Sequence, residues 1–212
     1  MKYMIVNVVT ILLMFSPQVV AKTEVAIDDI LQELSALESC ESTSSCPQDL
    51  NNPRNSFYLL GEKISQQINR AIELQKNIGE HAEFVELGQF WYQYPNQLVQ
   101  QAALSLLSPQ TAKMSTGKVI LRQFGNLRDA SLVKMSLDEL ARYPELEQET
   151  FEVISGVLTS GSFSAAKAVA KNISVLLNED NIASYQSLLT QLPPKSAKAR
   201  FLSQSLNNYK IR

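Results

Sequence analysis

The stretch FYLLGEKISQQINRAIELQKNI, residues 57–78, decides the fold class. Phe57, Leu60, Ile64, Ile68, Ala71, Ile72 and Ile78 fall on one face at helical spacing. Glu62, Lys63, Gln66, Gln67, Arg70, Glu73 and Lys76 cover the opposite face, and Gly79 follows as a helix terminator. The pattern predicts a helix here, the longest of the chain.

Upstream, residues 24–38 predict another helix. Ile27, Ile30, Leu31, Leu34 and Leu37 make one apolar stripe. Glu24, Asp28 and Asp29 sit early, where negative charge suits the helix dipole. Residues 39–56 between the two read as a polar linker. They carry Ser, Asn, Asp, Pro47 and Pro53, with only Leu50 strongly apolar.

Downstream, Pro95, Pro144 and Pro193 lie 49 residues apart, and each is preceded by a helix-like stretch: 84–94, 133–143 and 182–192. Phe84, Val133 and Ile182 correspond, as do Trp91, Leu140 and Leu189, and Tyr94, Tyr143 and Leu192. Further helices are predicted over 96–107, 115–124, 145–159, 163–177 and 194–208, with loops at Ser108-Pro109, Gly125-Asn126, Ser160-Gly161 and residues 178–181. In period and helix order, residues 82–212 resemble HEAT or armadillo arrays. The resemblance implies short stacked antiparallel helices, an α-solenoid. An irregular helical bundle is the alternative, and both are all-α.

The N-terminus reads as an export signal. One charge, Lys2, precedes an apolar run from Met4 to Phe15, broken by Ser16-Pro17. Val19 and Ala21 suit a cleavage site, so residues 1–21 read as a signal peptide that leaves a periplasmic or secreted chain. The run is short for a membrane span, which needs ~20 apolar residues, so no span is expected after cleavage. A retained membrane tether is the other possibility. Cys40 and Cys46 are expected to form a disulfide in that oxidising compartment. Their spacing is not Cys-x-x-Cys, and with His81 the sole histidine a metal site is not expected.

Chemistry-bearing patterns are sparse. His81, in Glu80-His81-Ala82-Glu83, is a candidate general base, but its position at a helix start suits a solvated loop residue better. Carboxylate pairs such as Asp28/Asp29 and Asp138/Glu139 fit exposed helix faces. Gly-x-Ser-x-Gly and phosphate-binding glycine loops are absent. Gly88 and Gly156 fall inside predicted helices and point to close packing. Asn172-Ile173-Ser174 is a glycosylation sequon. A formal charge of −2 and no Lys/Arg run give no reason to expect nucleic acid, and Lys195, Lys198 and Arg200 read as a solvated face.

The most unusual local feature is Phe90-Trp91-Tyr92-Gln93-Tyr94. Phe84, Leu87, Trp91 and Tyr94 share one face, which leaves Phe90 and Tyr92 to others, as candidate binding residues. No catalytic residue and no cofactor are assigned. The expected function is therefore an exported protein-binding or scaffolding module whose partner is another protein, in envelope assembly or as an inhibitor or immunity-type protein. The alternative is a cell-envelope hydrolase using a Glu or His81. Export should yield a chain beginning at Lys22; intact-mass measurement checks this, and a mass retaining residues 1–21 refutes it.

Overall fold

The computed structural model describes residues 17–43, 46 and 56–210. Among them are ten α-helices and no strand, so the fold is all-α. The first two are α1 (Pro17–Thr43) and α2 (Ser56–Ile78). They are followed by α3 (Ala82–Tyr92), α4 (Gln97–Leu107), α5 (Met114–Phe124) and α6 (Ala130–Leu140). The last four are α7 (Glu147–Ser160), α8 (Phe163–Asn172), α9 (Ile182–Leu188) and α10 (Ala197–Lys210). Short 3₁₀ turns precede α7 (Pro144–Leu146), follow α8 (Ile173–Val175) and follow α9 (Leu189–Gln191).

α1, not α2, is the longest helix, and it runs through Cys40 instead of stopping at residue 38. Ile27, Ile30, Leu34 and Cys40 are each at most 4% exposed. Cys40 therefore extends the apolar stripe into what sequence composition marked as linker. It is bonded to Cys46, as expected. The rest of the expected linker, residues 44–45 and 47–55, lies outside the described residues. So does residues 1–16 of the expected signal segment. No helix among the described residues is long and apolar enough to cross a membrane.

The helices alternate between two rows. α2, α4, α6, α8 and α10 pack side by side in that order. α3, α5 and α7 form the second row, and the Phe151 and Tyr185 rings, 5.0 Å apart, join α7 to α9. α1 packs on α2.

The step along the first row is set by capping residues. Asn96 accepts hydrogen bonds from the Leu98 and Val99 N–H groups, Asp129 from Leu132, Ser162 from Ala165 and Ser196 from Ala199. These N-caps of α4, α6, α8 and α10 recur every 33 or 34 residues. Buried positions follow the same step: Val99, Leu132 and Ala165; Ala103, Ser136 and Val169; Leu104, Leu137 and Ala170; Leu107, Leu140 and Ile173. All are at most 2% exposed. The expected 49-residue spacing is about one and a half such steps. It therefore matched α3 of one row with α6 of the other and α9 of the first.

A partly buried ion pair locks α6 to the α4–α5 connection. The Arg142 guanidinium donates to Glu139 Oε1 (2.6 Å), to the Ser108 carbonyl (2.8 Å) and to the Gln110 carbonyl. The Tyr143 hydroxyl donates to the same Glu139 oxygen at 2.9 Å. Burial, and then the Glu139 charge, push the Tyr143 phenol pKa up, so this donor keeps its proton at any physiological pH. The Glu139 side chain is only 4% exposed, while Arg142 is 30% exposed. Removing the arginine leaves a buried carboxylate unpaired. Arg142→Met should lower unfolding free energy by about 2 kcal/mol, at the modest end because Arg142 is partly solvated. Adding Glu139→Gln should recover part of that loss in urea denaturation, because the unpaired charge is then gone.

Candidate binding surface

The rings singled out in the sequence separate into core and surface. Phe84, Leu87 and Trp91 are buried, as their shared stripe requires. Tyr94 is half-buried. Phe90 is 49% exposed on the outside of α3.

Tyr92 is 0% exposed, which corrects the expectation that it faces a surface. The cause is the two-row packing, which buries a second stripe of α3: Val85, Gly88 and Tyr92. At Gly88 a Cβ would come within 2.6 Å of the Leu107 side chain, so only glycine lets α3 lie this close to α4. The Tyr92 hydroxyl lies 2.9 Å from Ser136 Oγ, and Ser136 already donates to the Leu132 carbonyl at 2.7 Å. Tyr92 is thus the donor, and its ring bridges α3 to α6. Burial pushes its phenol pKa up. Gly156, by contrast, has nothing within 4 Å of a built Cβ, so it marks no close packing.

A residue that the sequence pattern assigned to the core lies outside it. Phe57 is 51% exposed and its neighbour Tyr58 58%. Phe57 stacks on Tyr94, with centroids 6.2 Å apart and planes at 15°. Tyr94 meets Trp91 edge-on at 5.5 Å, and Trp91 meets Phe90 edge-on at 5.2 Å. The four rings form one continuous chain across α2 and α3, resting on a buried tryptophan. The other large exposed apolar residues, Val25, Met114, Phe163 and Val175, sit on separate elements. Single exposed residues of that kind are ordinary on a protein surface, whereas contiguous aromatic surface marks contact sites.

Asn96 aligns this chain of rings. Besides capping α4, it donates through Nδ2 to the Phe57 carbonyl at 3.4 Å. Gly61, one turn into α2, makes room for it: a Cβ there would lie 2.1 Å from Asn96 Nδ2. The α3–α4 turn is thereby seated on α2, with Tyr94 over Phe57.

His81 makes none of the ring contacts of this chain of rings. Its side chain is 39% exposed, its Nδ1 is 3.6 Å from Glu83 Oε2, and its ring tilts against Phe84 at 5.7 Å. Glu80 is occupied by the Thr111 hydroxyl at 2.6 Å. Among the described residues no group of three or more His, Cys, Asp or Glu is placed to hold a metal.

Gly61→Ala should displace Asn96 and cost about 2 kcal/mol through overpacking and a weakened cap. Gly156→Ala, an exposed helical site with open space, should instead stabilise by about 1 kcal/mol. Chemical denaturation of the two variants checks the contrast. No family model, no curated protein and no solved structure matches this chain.

Proposed function

We propose that this chain is an exported protein-binding or scaffolding module without catalytic activity, built as an α-solenoid-like stack of helix pairs. Its binding face is the aromatic surface of Phe57, Tyr58, Phe90 and Tyr94. The observation that carries this is the chain of ring contacts that runs from Phe57 through Tyr94 and the buried Trp91 to Phe90, three of whose four rings are partly exposed. Exposed aromatics backed by a rigid core act as interface anchors, because they bury large area with little loss of side-chain freedom. The Cys40–Cys46 disulfide supports an oxidising compartment, the periplasm or outside of the cell. In that setting an envelope-assembly accessory and an inhibitor or immunity-type protein are the two roles that suit such a face.

Site-specific photo-crosslinking in the native host tests the assignment. A benzophenone side chain at Tyr58 or Phe90 should give a discrete adduct, and one at exposed Phe163 should not. Tyr58→Ala with Phe90→Ala should abolish the adduct formed from a probe at Phe57 while leaving the melting temperature nearly unchanged. Equal adducts at all positions, or loss of a biological readout with His81→Ala while the aromatic variants are silent, would sink the binding face and favour the hydrolase.

A further inference from the structure

A second site lies at the other end of the molecule. Between the start of α7, the loop after α8 and the helix α9 is a cavity of about 220 Å³. Its wall carries Glu147, Thr150, Asn178, Asn181 and Tyr185. Glu147 Oε1 accepts from Asn178 Nδ2 and from Asn181 Nδ2, both at 2.7 Å. The two asparagines are themselves locked together. Asn178 Oδ1 accepts from the Asn181 N–H at 2.8 Å, and Asn181 Oδ1 accepts from the Asn178 N–H at 3.0 Å. The carboxylate is thus held in place by neutral donors.

Two features of this cavity are left unsatisfied. No lysine, arginine or histidine lines it, and among the described residues Glu147 forms no ion pair. Thr150 is 5% exposed, and its hydroxyl has no hydrogen-bond partner among the described residues. A buried polar group without a partner costs about 1–3 kcal/mol, so such groups are ordinarily paired. The volume is several times the ~30 Å³ share of one water, so a single bridging water does not fill it. Leu140, Pro144 and Leu177 provide apolar wall beside the polar groups.

We propose that this cavity binds an alkylammonium group, from either a free diamine or a lysine side chain. An ammonium brings three donors and one positive charge. Glu147 Oε2 is the acceptor for one of those donors, the enclosed Thr150 hydroxyl takes a second by turning between the two χ1 rotamers open to a helical threonine, and the apolar wall takes the methylene stem. A guanidinium fits less well. It prefers both oxygens of a carboxylate in a fork, and Oε1 already holds two amide donors. A divalent cation needs several oxygen ligands, whereas the wall carries a single carboxylate. Tyr185, 1% exposed, closes one side as a neutral phenol, because burial first and the Glu147 charge second push its pKa up.

The site is independent of the aromatic surface, so its test does not depend on a protein partner. Isothermal titration calorimetry of the full chain at low ionic strength would use cadaverine and Nα-acetyl-lysine methylamide. The Nε-acetylated form of the latter is the uncharged control. The wild type should bind at least one amine saturably and ignore the control. Glu147→Gln keeps the asparagine bonds and should weaken binding about tenfold or more. Thr150→Val should weaken it severalfold with an unchanged stoichiometry, and serves if Glu147→Gln does not fold. Binding of the diamine alone assigns a free amine, and binding of the lysine amide alone assigns a side chain. No saturable binding at tens of millimolar, equal binding of the acetylated control, or unchanged affinity in a folded Glu147→Gln or Thr150→Val variant overturns the proposal.

Discussion

Two close approaches hold the first half of the molecule, and both depend on the absence of a Cβ. At Gly61 the backbone of α2 admits the Asn96 side chain, and at Gly88 the backbone of α3 admits Leu107. With both in place, α2, α3 and α4 form one tight wedge. Everything distal to it inherits its orientation from that wedge: Tyr92 reaches Ser136 on α6 only because α3 lies against α4, and α6 in turn seats α8. The aromatic surface is a product of the same geometry. Phe57 and Tyr94 stack because Asn96 draws the α3–α4 turn down onto α2.

The helices themselves were legible. Amphipathic spacing located α2, and the downstream helices lie within a few residues of their expected bounds, because short amphipathic helices between turn residues leave a strong local pattern. The order of packing was not legible from the prolines. Pro95, Pro144 and Pro193 occupy turns, but successive ones belong to turns on alternating sides of the stack. The useful signal was quieter: Asn96, Asp129, Ser162 and Ser196 are each an N-cap with a strongly buried position three residues on in the first three cases, Val99, Leu132 and Ala165. A cap is a local interaction and repeats with the helix pair, whereas a proline only forbids helix and tolerates many settings. The resulting step of 33–34 residues is shorter than the roughly 40–47 of HEAT and armadillo arrays.

The candidate surface was half legible. Phe90 stands out because Phe84, Leu87, Trp91 and Tyr94 fill the obvious core stripe of its helix. One stripe of α3 leaves Tyr92 outside the core, but the fold buries two, and Val85, Gly88 and Tyr92 recur at i, i+3 and i+7. Phe57 departs from its pattern in the opposite sense. It continues the stripe of α2, but it sits at the helix start, where its ring stays half exposed among the described residues and stacks on Tyr94. The cavity at Glu147 left no linear trace, since its walls come from residues some thirty positions apart whose meeting depends on the packing of α7 against α9.

The alternating rows also act as a ruler. Substantial helix contacts run between elements one or two places apart in the chain, so each pair is positioned by its neighbours and not by a distant clasp. In the helix-pair stack proposed above, duplicating one 33-residue unit such as residues 108–140 leaves both ends chemically intact, whereas deleting it takes Ser136 from Tyr92 and Leu140 from the cavity wall. Duplication would change their separation, by about the 8–10 Å width of a packed helix, together with their relative rotation. The distance between the ring-lined end and the carboxylate-lined end can therefore change in discrete increments, with neither end redesigned.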